Sequence, residues 1–113
     1  MKIMAVDIGG TAIKYGLVSE NGEILQSGEC PSEAKKGADH LIDIIKKIIN
    51  DHSDYQMIGI STAGQVNPVK GYIAYASDNI PGYTGCQLKD ILTKEFNVPV
   101  TVENDVNCAA LGE

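Results

Sequence analysis

An acidic residue, Asp105, lies in this chain where an apolar strand gives way to a helix of small residues. Alternating valines over residues 98–102 predict the strand, and apolar residues recur at helical spacing over residues 106–110. Asn104 and Asp105 are therefore expected at the carboxyl end of the strand and in the first turn of the helix, where open α/β sheets bind ligands. Taken alone, the pattern favours a helix-capping role for Asp105, because aspartate commonly accepts hydrogen bonds from first-turn N–H groups.

A second group of residues, Asp7-Ile8-Gly9-Gly10-Thr11-Ala12-Ile13-Lys14, has the composition of a phosphate and magnesium site. Glycines let backbone N–H groups approach phosphate oxygens, the Thr11 hydroxyl can hydrogen-bond to them, and Asp7 can hold water molecules on Mg²⁺. The spacing matches neither GxxxxGKS/T nor GxGxxG. A plain hairpin, in which a Gly-Gly turn supplies positive φ angles, accounts for the same residues equally well.

Two polar loops hold residues suited to a polyhydroxylated ligand. Residues 61–68 follow another predicted strand and include Gly64, and residues 77–83 form a polar turn that includes Asn79. The amide side chains of Asn79 and Asn104 each offer a donor and an acceptor, so each can bind a hydroxyl in either sense. Ordinary turn chemistry explains these loops as well, and only the combination of all the groups favours a ligand site.

The hydrophobic pattern predicts the elements that must position these residues. Strands are predicted over residues 2–7, 12–18, 23–30, 57–61 and 99–102, and helices over 37–52, 86–96 and from residue 105 onward. The connection over residues 62–85 exceeds the usual length and is expected to be functional or to carry a small hairpin, with one strand near residues 71–76. The resulting βββαβαβα order indicates a mixed sheet with an antiparallel start and parallel strands reached by right-handed crossovers.

Composition and charge exclude several classes of function. The length of 113 residues allows one domain, and the net charge of −6 disfavours a nucleic-acid partner. No apolar run approaches the ~20 residues that cross a bilayer, and Asp7 interrupts the start where a signal peptide would stay apolar, so we expect a cytoplasmic protein with no membrane partner. Cys30, Cys86 and Cys108 are odd in number and widely spaced, which favours reduced, space-filling thiols over a disulfide framework or a zinc site.

In combination these motifs resemble the amino-terminal lobe of the ROK family of sugar kinases and repressors. The resemblance rests on the stretch from Asp7 to Lys14, on Gly64, on Asn79-Ile80-Pro81-Gly82 and on Glu103-Asn104-Asp105-Val106-Asn107, and it covers essentially all 113 residues. It implies an α/β fold of the ribonuclease-H-like, actin-like ATPase kind, with a mixed sheet and flanking helices. It also implies that residues 1–113 form a single amino-terminal lobe.

The resemblance further implies an ATP-dependent sugar kinase with Mg²⁺, and it assigns roles to residues of this chain. The ATP phosphates would be bound by Gly9, Gly10, Thr11 and Lys14. The metal would face Asp7. The sugar would be lined by Gly64, Asn79, Asn104 and Asp105. Asp105 would be the general base, accepting the proton of the sugar hydroxyl as that oxygen attacks the γ-phosphoryl group.

Family kinases continue into a second lobe that is not found in these 113 residues. That lobe carries the rest of the nucleotide site, a GxxGH sugar motif and usually a cysteine-rich zinc motif. Zinc is therefore not expected for this chain, and we expect no sugar phosphorylation by these residues alone. Apolar surface without a covering lobe favours self-association, so a homodimer is a further expectation.

Two other functions compete with the kinase. A sugar-sensing domain of a ROK-type repressor would share the lobe, but such regulators place a helix-turn-helix segment before the first strand. Here the first motif already begins at Asp7, which favours the kinase. A glycoside hydrolase would use Glu103 and Asp105 as its two carboxyl groups, but that chemistry has no need of the Gly9-Gly10-Thr11 turn.

Overall fold

A mixed five-stranded sheet organises the chain, and the computed structural model describes residues 1–67, 69–75 and 80–104. The strands are β1 (Lys2–Ile8), β2 (Ala12–Ser19), β3 (Ile24–Pro31), β4 (Met57–Thr62), β5 (Gln65–Asn67), β6 (Tyr72–Tyr75) and β7 (Val100–Asn104). The helices are α1 (Ala38–Asn50) and α2 (Leu88–Phe96), and a short 3-10 helix (Ala34–Lys36) precedes α1. The main sheet has the strand order β3-β2-β1-β4-β7, and β5 pairs with β6 in a separate hairpin.

The pairing directions divide the main sheet into two parts. β1 and β2 are antiparallel and so are β2 and β3, whereas β4 is parallel to β1 and β7 is parallel to β4. The predicted antiparallel start and parallel continuation are therefore confirmed. Because β1, β4 and β7 run in the same direction, their carboxyl ends lie at one edge of the sheet.

One face of the sheet is covered by helices. Helix α1 places its isoleucines and Leu41 on one side, where Leu41, Ile45 and Ile49 are fully buried, while Asp43 and Lys47 are exposed. This spacing of apolar residues is what a helix needs in order to bury one stripe against a sheet. The core cluster joins this stripe to apolar side chains from both helices and from the strands, which include Met4, Val6, Ile58, Ile60, Leu88, Leu92, Val100 and Val102.

The opposite face of the sheet forms an open depression of about 640 Å³. Small residues pair across its strands, since Ala5 lies between Gly16 on β2 and Gly59 on β4, and Gly59 pairs with Thr101 on β7. Ile24, at the rim, is 68% exposed. Within the described residues, neither helix is long and apolar enough to cross a membrane.

The sequence predictions differ from the structure chiefly at the ends of elements. The small hairpin expected within residues 62–85 is confirmed as β5 and β6. Strand β7 was predicted to end at Val102 but continues to Asn104, because Glu103 and Asn104 pair with Ser61 and Thr62 of β4. The predicted helix from residue 105 lies outside the described residues.

Two of the three cysteines are described, and both are free thiols packed against the core. Burial raises the pKa of both the Cys30 and the Cys86 thiol, so each stays protonated more readily than an exposed cysteine. The space-filling interpretation is confirmed for these two residues. Cys108 lies outside the described residues.

Substitution of Ile45 tests whether the stripe of α1 carries the stability of the sheet. Ile45 is 0% exposed, so Ile45→Ala is expected to lower the free energy of unfolding by about 2–5 kcal/mol through lost burial and a cavity. Urea denaturation measures the change. Lys47→Ala, on the exposed side of the same helix, should stay within about 0.5 kcal/mol of the unaltered chain. Equal losses in the two variants would contradict the packing described here.

Candidate functional site

The carboxyl ends of β1, β4 and β7 align residues in two rows across the sheet. Asp7, Ser61 and Glu103 form one row, and the register places Ile8, Thr62 and Asn104 in the next. Neighbouring rows point to opposite faces of a sheet. The first row lines the open depression, while Ile8 and Thr62 are fully buried on the face that the helices cover.

The turn between β1 and β2 presents its backbone to solvent. The Gly9 N–H donates to the Ala12 carbonyl at 2.9 Å, and a Cβ atom at Gly9 would lie only 2.9 Å from that same oxygen. Gly9 therefore allows a close backbone approach. Gly10 is exposed, and a Cβ atom there would meet no described atom within 4 Å.

The backbone angles of these two glycines rule out one of the explanations that the sequence left open. Neither Gly9 nor Gly10 has a positive φ, so the plain hairpin that needs glycine for its backbone angles is wrong. At position 10, neither the φ angle nor crowding by the described residues requires a glycine. A bare, exposed backbone at this position is what a phosphate-binding turn provides.

Ser32 holds this turn in place, a role that was not predicted from the sequence. Its side chain is fully buried, and its hydroxyl donates to the Gly10 carbonyl at 3.1 Å. Its backbone N–H donates to the Thr11 carbonyl, also at 3.1 Å. The two bonds orient both peptide carbonyls of the turn toward Ser32. The only signal in the sequence is a small hydroxyl residue after Pro31, which any turn would share.

A depression of about 400 Å³ opens beside Gly10 and Thr11. It is also lined by Ser32 and the 3-10 helix, with Lys35 and Lys36 among its side chains. Hydrogen bonds from Lys36 at 2.8 Å and from His40 at 3.2 Å lower the pKa of the nearby Glu33 carboxyl. Lys36 is therefore paired with the Glu33 carboxylate. Lys35 is the other lysine that lines this depression, and no ion pair is found for it in the described chain.

The residues predicted to bind ATP and Mg²⁺ lie at two different places in the fold. Gly10 and Thr11 line the depression beside Ser32, whereas Asp7 and Lys14 pair across β1 and β2 and line the open face of the sheet. Asp7 is exposed, and Glu103 lies in the same row. The described residues contain no group of three or more potential metal-ligating side chains. A carboxylate such as Asp7 fits Mg²⁺, which keeps several waters and needs only one or two protein carboxylates besides substrate phosphates.

The residues predicted to bind the sugar lie at the same sheet edge where they are described. Gly64 follows β4 and has a φ of 97°, a conformation that strongly favours glycine. Asn104 is half-buried at the end of β7, in register with Thr62. Asn79 and Asp105 lie outside the described residues, next in the chain to the buried Ile80 and to Asn104. Tyr83 was not predicted from the sequence to have a role here, and its hydroxyl lies 2.7 Å from that of Thr62.

Comparison with known proteins gives consistent matches. The chain matches the model of the ROK family over residues 3–113. It is 50% identical over 111 residues to an uncharacterised protein of Clostridium perfringens, covering 96% of this chain and 38% of that protein. It is 39% identical over 113 residues to the β-glucoside kinase of Listeria innocua, covering 100% of this chain and 38% of that enzyme.

A solved structure extends the likeness to the fold. The ROK family glucokinase from Streptomyces griseus, in complex with glucose and AMPPNP, has a TM-score of 0.88 and 32% identity, over 100% of this chain and 36% of that one. The ribonuclease-H-like fold of the actin-like ATPases is therefore confirmed, and the chain spans less than two fifths of the length of these relatives. Because the family model matches residues 3–113, which is nearly the whole of this chain, the chain belongs to the ROK family.

Proposed function

We propose that this chain is the amino-terminal lobe of an ATP-dependent sugar kinase, which transfers the γ-phosphoryl group of ATP to a sugar hydroxyl. The observation that carries the proposal is the meeting of the glycine-rich turn, Gly64 and Asn104 at one edge of the sheet. The similarity to a β-glucoside kinase and to a glucokinase with bound glucose supports a glucose-type substrate. A second lobe would supply the other side of the cleft.

On the nucleotide side, the exposed turn would bind the phosphates of ATP. The backbone N–H group of Gly10 and the hydroxyl of Thr11 would donate to phosphate oxygens, and Lys14 would contribute positive charge. Gly9 would serve the same turn through its close backbone approach, because its own N–H already donates to the Ala12 carbonyl. Asp7 would hold Mg²⁺ through water molecules. When bound, Mg²⁺ offsets the negative charge on the phosphate oxygens.

On the sugar side, polar groups would fix the orientation of the hydroxyls. Gly64 leaves room for the sugar ring, and the amides of Asn79 and Asn104 hydrogen-bond to its hydroxyls. Asp105 would accept the proton of the attacking hydroxyl, which makes that oxygen a better nucleophile. Most of the catalytic effect would come from positioning of the two substrates.

The same proposal includes the cellular location, the partners and the oligomeric state of the protein. The kinase would work in the cytoplasm, where ATP is available, and neither nucleic acid nor membrane would be needed as a partner. Apolar rim residues such as Ile24, which is 68% exposed, would support a homodimer.

Sugar-dependent release of ADP by the complete gene product tests the proposed function. Glucose, a β-glucoside and an N-acylated amino sugar are the substrates to compare. The expected result is ADP release that requires one of these sugars and yields the sugar phosphate in equal amount. ADP release at the same rate without sugar, or none with any of them, would overturn the proposal.

Replacement of Asp105 by asparagine tests the general base. Asp105→Asn removes the proton acceptor but keeps the shape, so kcat should fall by about 10²–10⁴-fold while the sugar dissociation constant changes little. Calorimetric sugar binding and steady-state kinetics separate the two effects. Asp43→Asn, on the exposed side of α1, is the control. Near-normal turnover by Asp105→Asn would exclude it as the base.

Replacement of Ser32 by alanine tests whether the turn at Gly9, Gly10 and Thr11 binds the phosphates of ATP. Ser32→Ala removes the hydroxyl that donates to the Gly10 carbonyl, a bond worth about 1 kcal/mol, so the KM for ATP should rise by about fivefold. The KM for sugar should stay within about twofold, because the hydrogen bonds found for Ser32 in the described chain go to the turn on the nucleotide side. Ser53→Ala, on the exposed loop before β4, should leave both unchanged. An equal rise in both KM values would argue against a turn that binds ATP phosphates without affecting the sugar site.

The 113 residues alone should not phosphorylate sugar. One lobe leaves the reacting groups open to water and supplies only part of the contacts that position ATP. A coupled ADP-release assay on the purified chain, with the complete gene product as the positive control, makes the comparison. Robust sugar-dependent turnover by the 113 residues would show that a second lobe is dispensable.

A further inference from the structure

Two buried hydroxyl groups meet where β4 ends. The Oγ1 atom of Thr62 and the Oη atom of Tyr83 lie 2.7 Å apart, and both side chains are 0% exposed. The Thr62 hydroxyl also donates to the Ala63 carbonyl at 3.2 Å. A buried tyrosine hydroxyl needs a hydrogen-bond partner, and Thr62 meets that need from a position twenty-one residues away in the chain.

On the strand side, Thr62 lies at the centre of the candidate site. It is in register with Ile8, which precedes the glycine-rich turn, and with Asn104, which precedes Asp105. The next residue, Ala63, donates its N–H to the Ile8 carbonyl at 3.1 Å, and Gly64 follows. The end of β4 is therefore fixed to both neighbouring strands.

On the loop side, Tyr83 belongs to an anchored segment over residues 80–85. The Pro81 carbonyl accepts a hydrogen bond from the Ala38 N–H at the start of α1, at 2.8 Å. The Gly85 N–H donates to the Ile73 carbonyl of β6 at 2.6 Å, and Ile80 is 5% exposed. Asn79 is joined directly to this segment through Ile80.

We propose that Thr62 and Tyr83 are a positioning pair that sets the affinity for the sugar. Their bond fixes the distance between the segment that follows Asn79 and the strand end that lies between Ile8 and Asn104. Neither hydroxyl is accessible to a substrate, so the pair acts only through the groups that it holds. The inference rests on the proposed function, because it concerns the sugar side of that same site.

A positioning role and a merely structural role can be told apart, because each changes a different measured quantity. Loss of a bond that only stabilises the fold would lower the melting temperature without separating the two substrates. Loss of a bond that positions the sugar groups should raise the sugar KM while the ATP KM stays constant, since the turn at Gly10 is held by Ser32 instead.

The experiment compares three variants of the complete gene product. Tyr83→Phe and Thr62→Val each remove one hydroxyl at nearly constant volume, and each should raise the sugar KM by about tenfold, with the ATP KM within about twofold. Thr62→Ser keeps the hydroxyl and loses a methyl group, so it should keep the sugar KM although its melting temperature falls. Tyr55→Phe, two residues before β4, is the control for removal of a tyrosine hydroxyl elsewhere.

The double variant Thr62→Val with Tyr83→Phe completes the test. Because both partners of one bond are gone, its sugar KM should match that of the single variants rather than the product of their effects. Unchanged sugar KM in both single variants, or sugar and ATP KM values that rise together, would overturn the inference while leaving the proposed kinase intact. Absence of sugar-dependent turnover in the unaltered protein would overturn the proposed function and this inference together.

Discussion

Parallel pairing of β1, β4 and β7 is the constraint on which the rest of the structure depends. It brings Ile8, Thr62 and Asn104 into register, although these residues are far apart in the chain. Because side chains alternate between the faces of a strand, the same register sends Asp7, Ser61 and Glu103 to the opposite side. A slip of one residue in any of the three strands would exchange these rows and destroy both sides of the site together. The buried stripe of α1 opposes such a slip, since it packs only on the face that holds Met4, Val6 and Ile58.

The groups that shape the site are mostly held by residues that no substrate could reach. Ser32 binds the carbonyls of Gly10 and Thr11, and Tyr83 binds Thr62, and all three of the side chains that make these bonds are 0% exposed. Burial strengthens such bonds because water does not compete for them, and it makes an unpaired hydroxyl costly. The exposed turn and the half-buried Asn104 can therefore keep defined positions without being packed themselves. This division lets the edge of the sheet remain polar and open while the core below it stays apolar.

Much of the fold could be predicted from the sequence because its signals are local. The stripe of Leu41, Ile45 and Ile49 specifies α1 by spacing alone, and the alternation around Met4 and Val6 specifies β1. The end of β7 could not be predicted in this way, since Glu103 and Asn104 are polar and extend the strand only through pairing with β4. Ser32 and Tyr83 were missed for the same reason, because their partners lie twenty-two and twenty-one residues away. Long-range hydrogen bonds leave no periodic pattern in a sequence.

The glycine-rich turn illustrates how structure changes the interpretation of a motif. Two glycines between strands ordinarily indicate positive φ angles, and six other glycines among the described residues do adopt them. Gly9 and Gly10 do not, so positive φ angles do not explain the motif. Gly9 is explained by its approach to the Ala12 carbonyl, but an alanine at Gly10 would meet no described atom. Glycine costs backbone entropy, so a glycine that the described fold does not require is consistent with the proposed phosphate contact at this position. Both hydrogen bonds found for Ser32 in the described chain hold the backbone at Gly10 and Thr11, and this preorganisation supports the proposed binding of phosphate there.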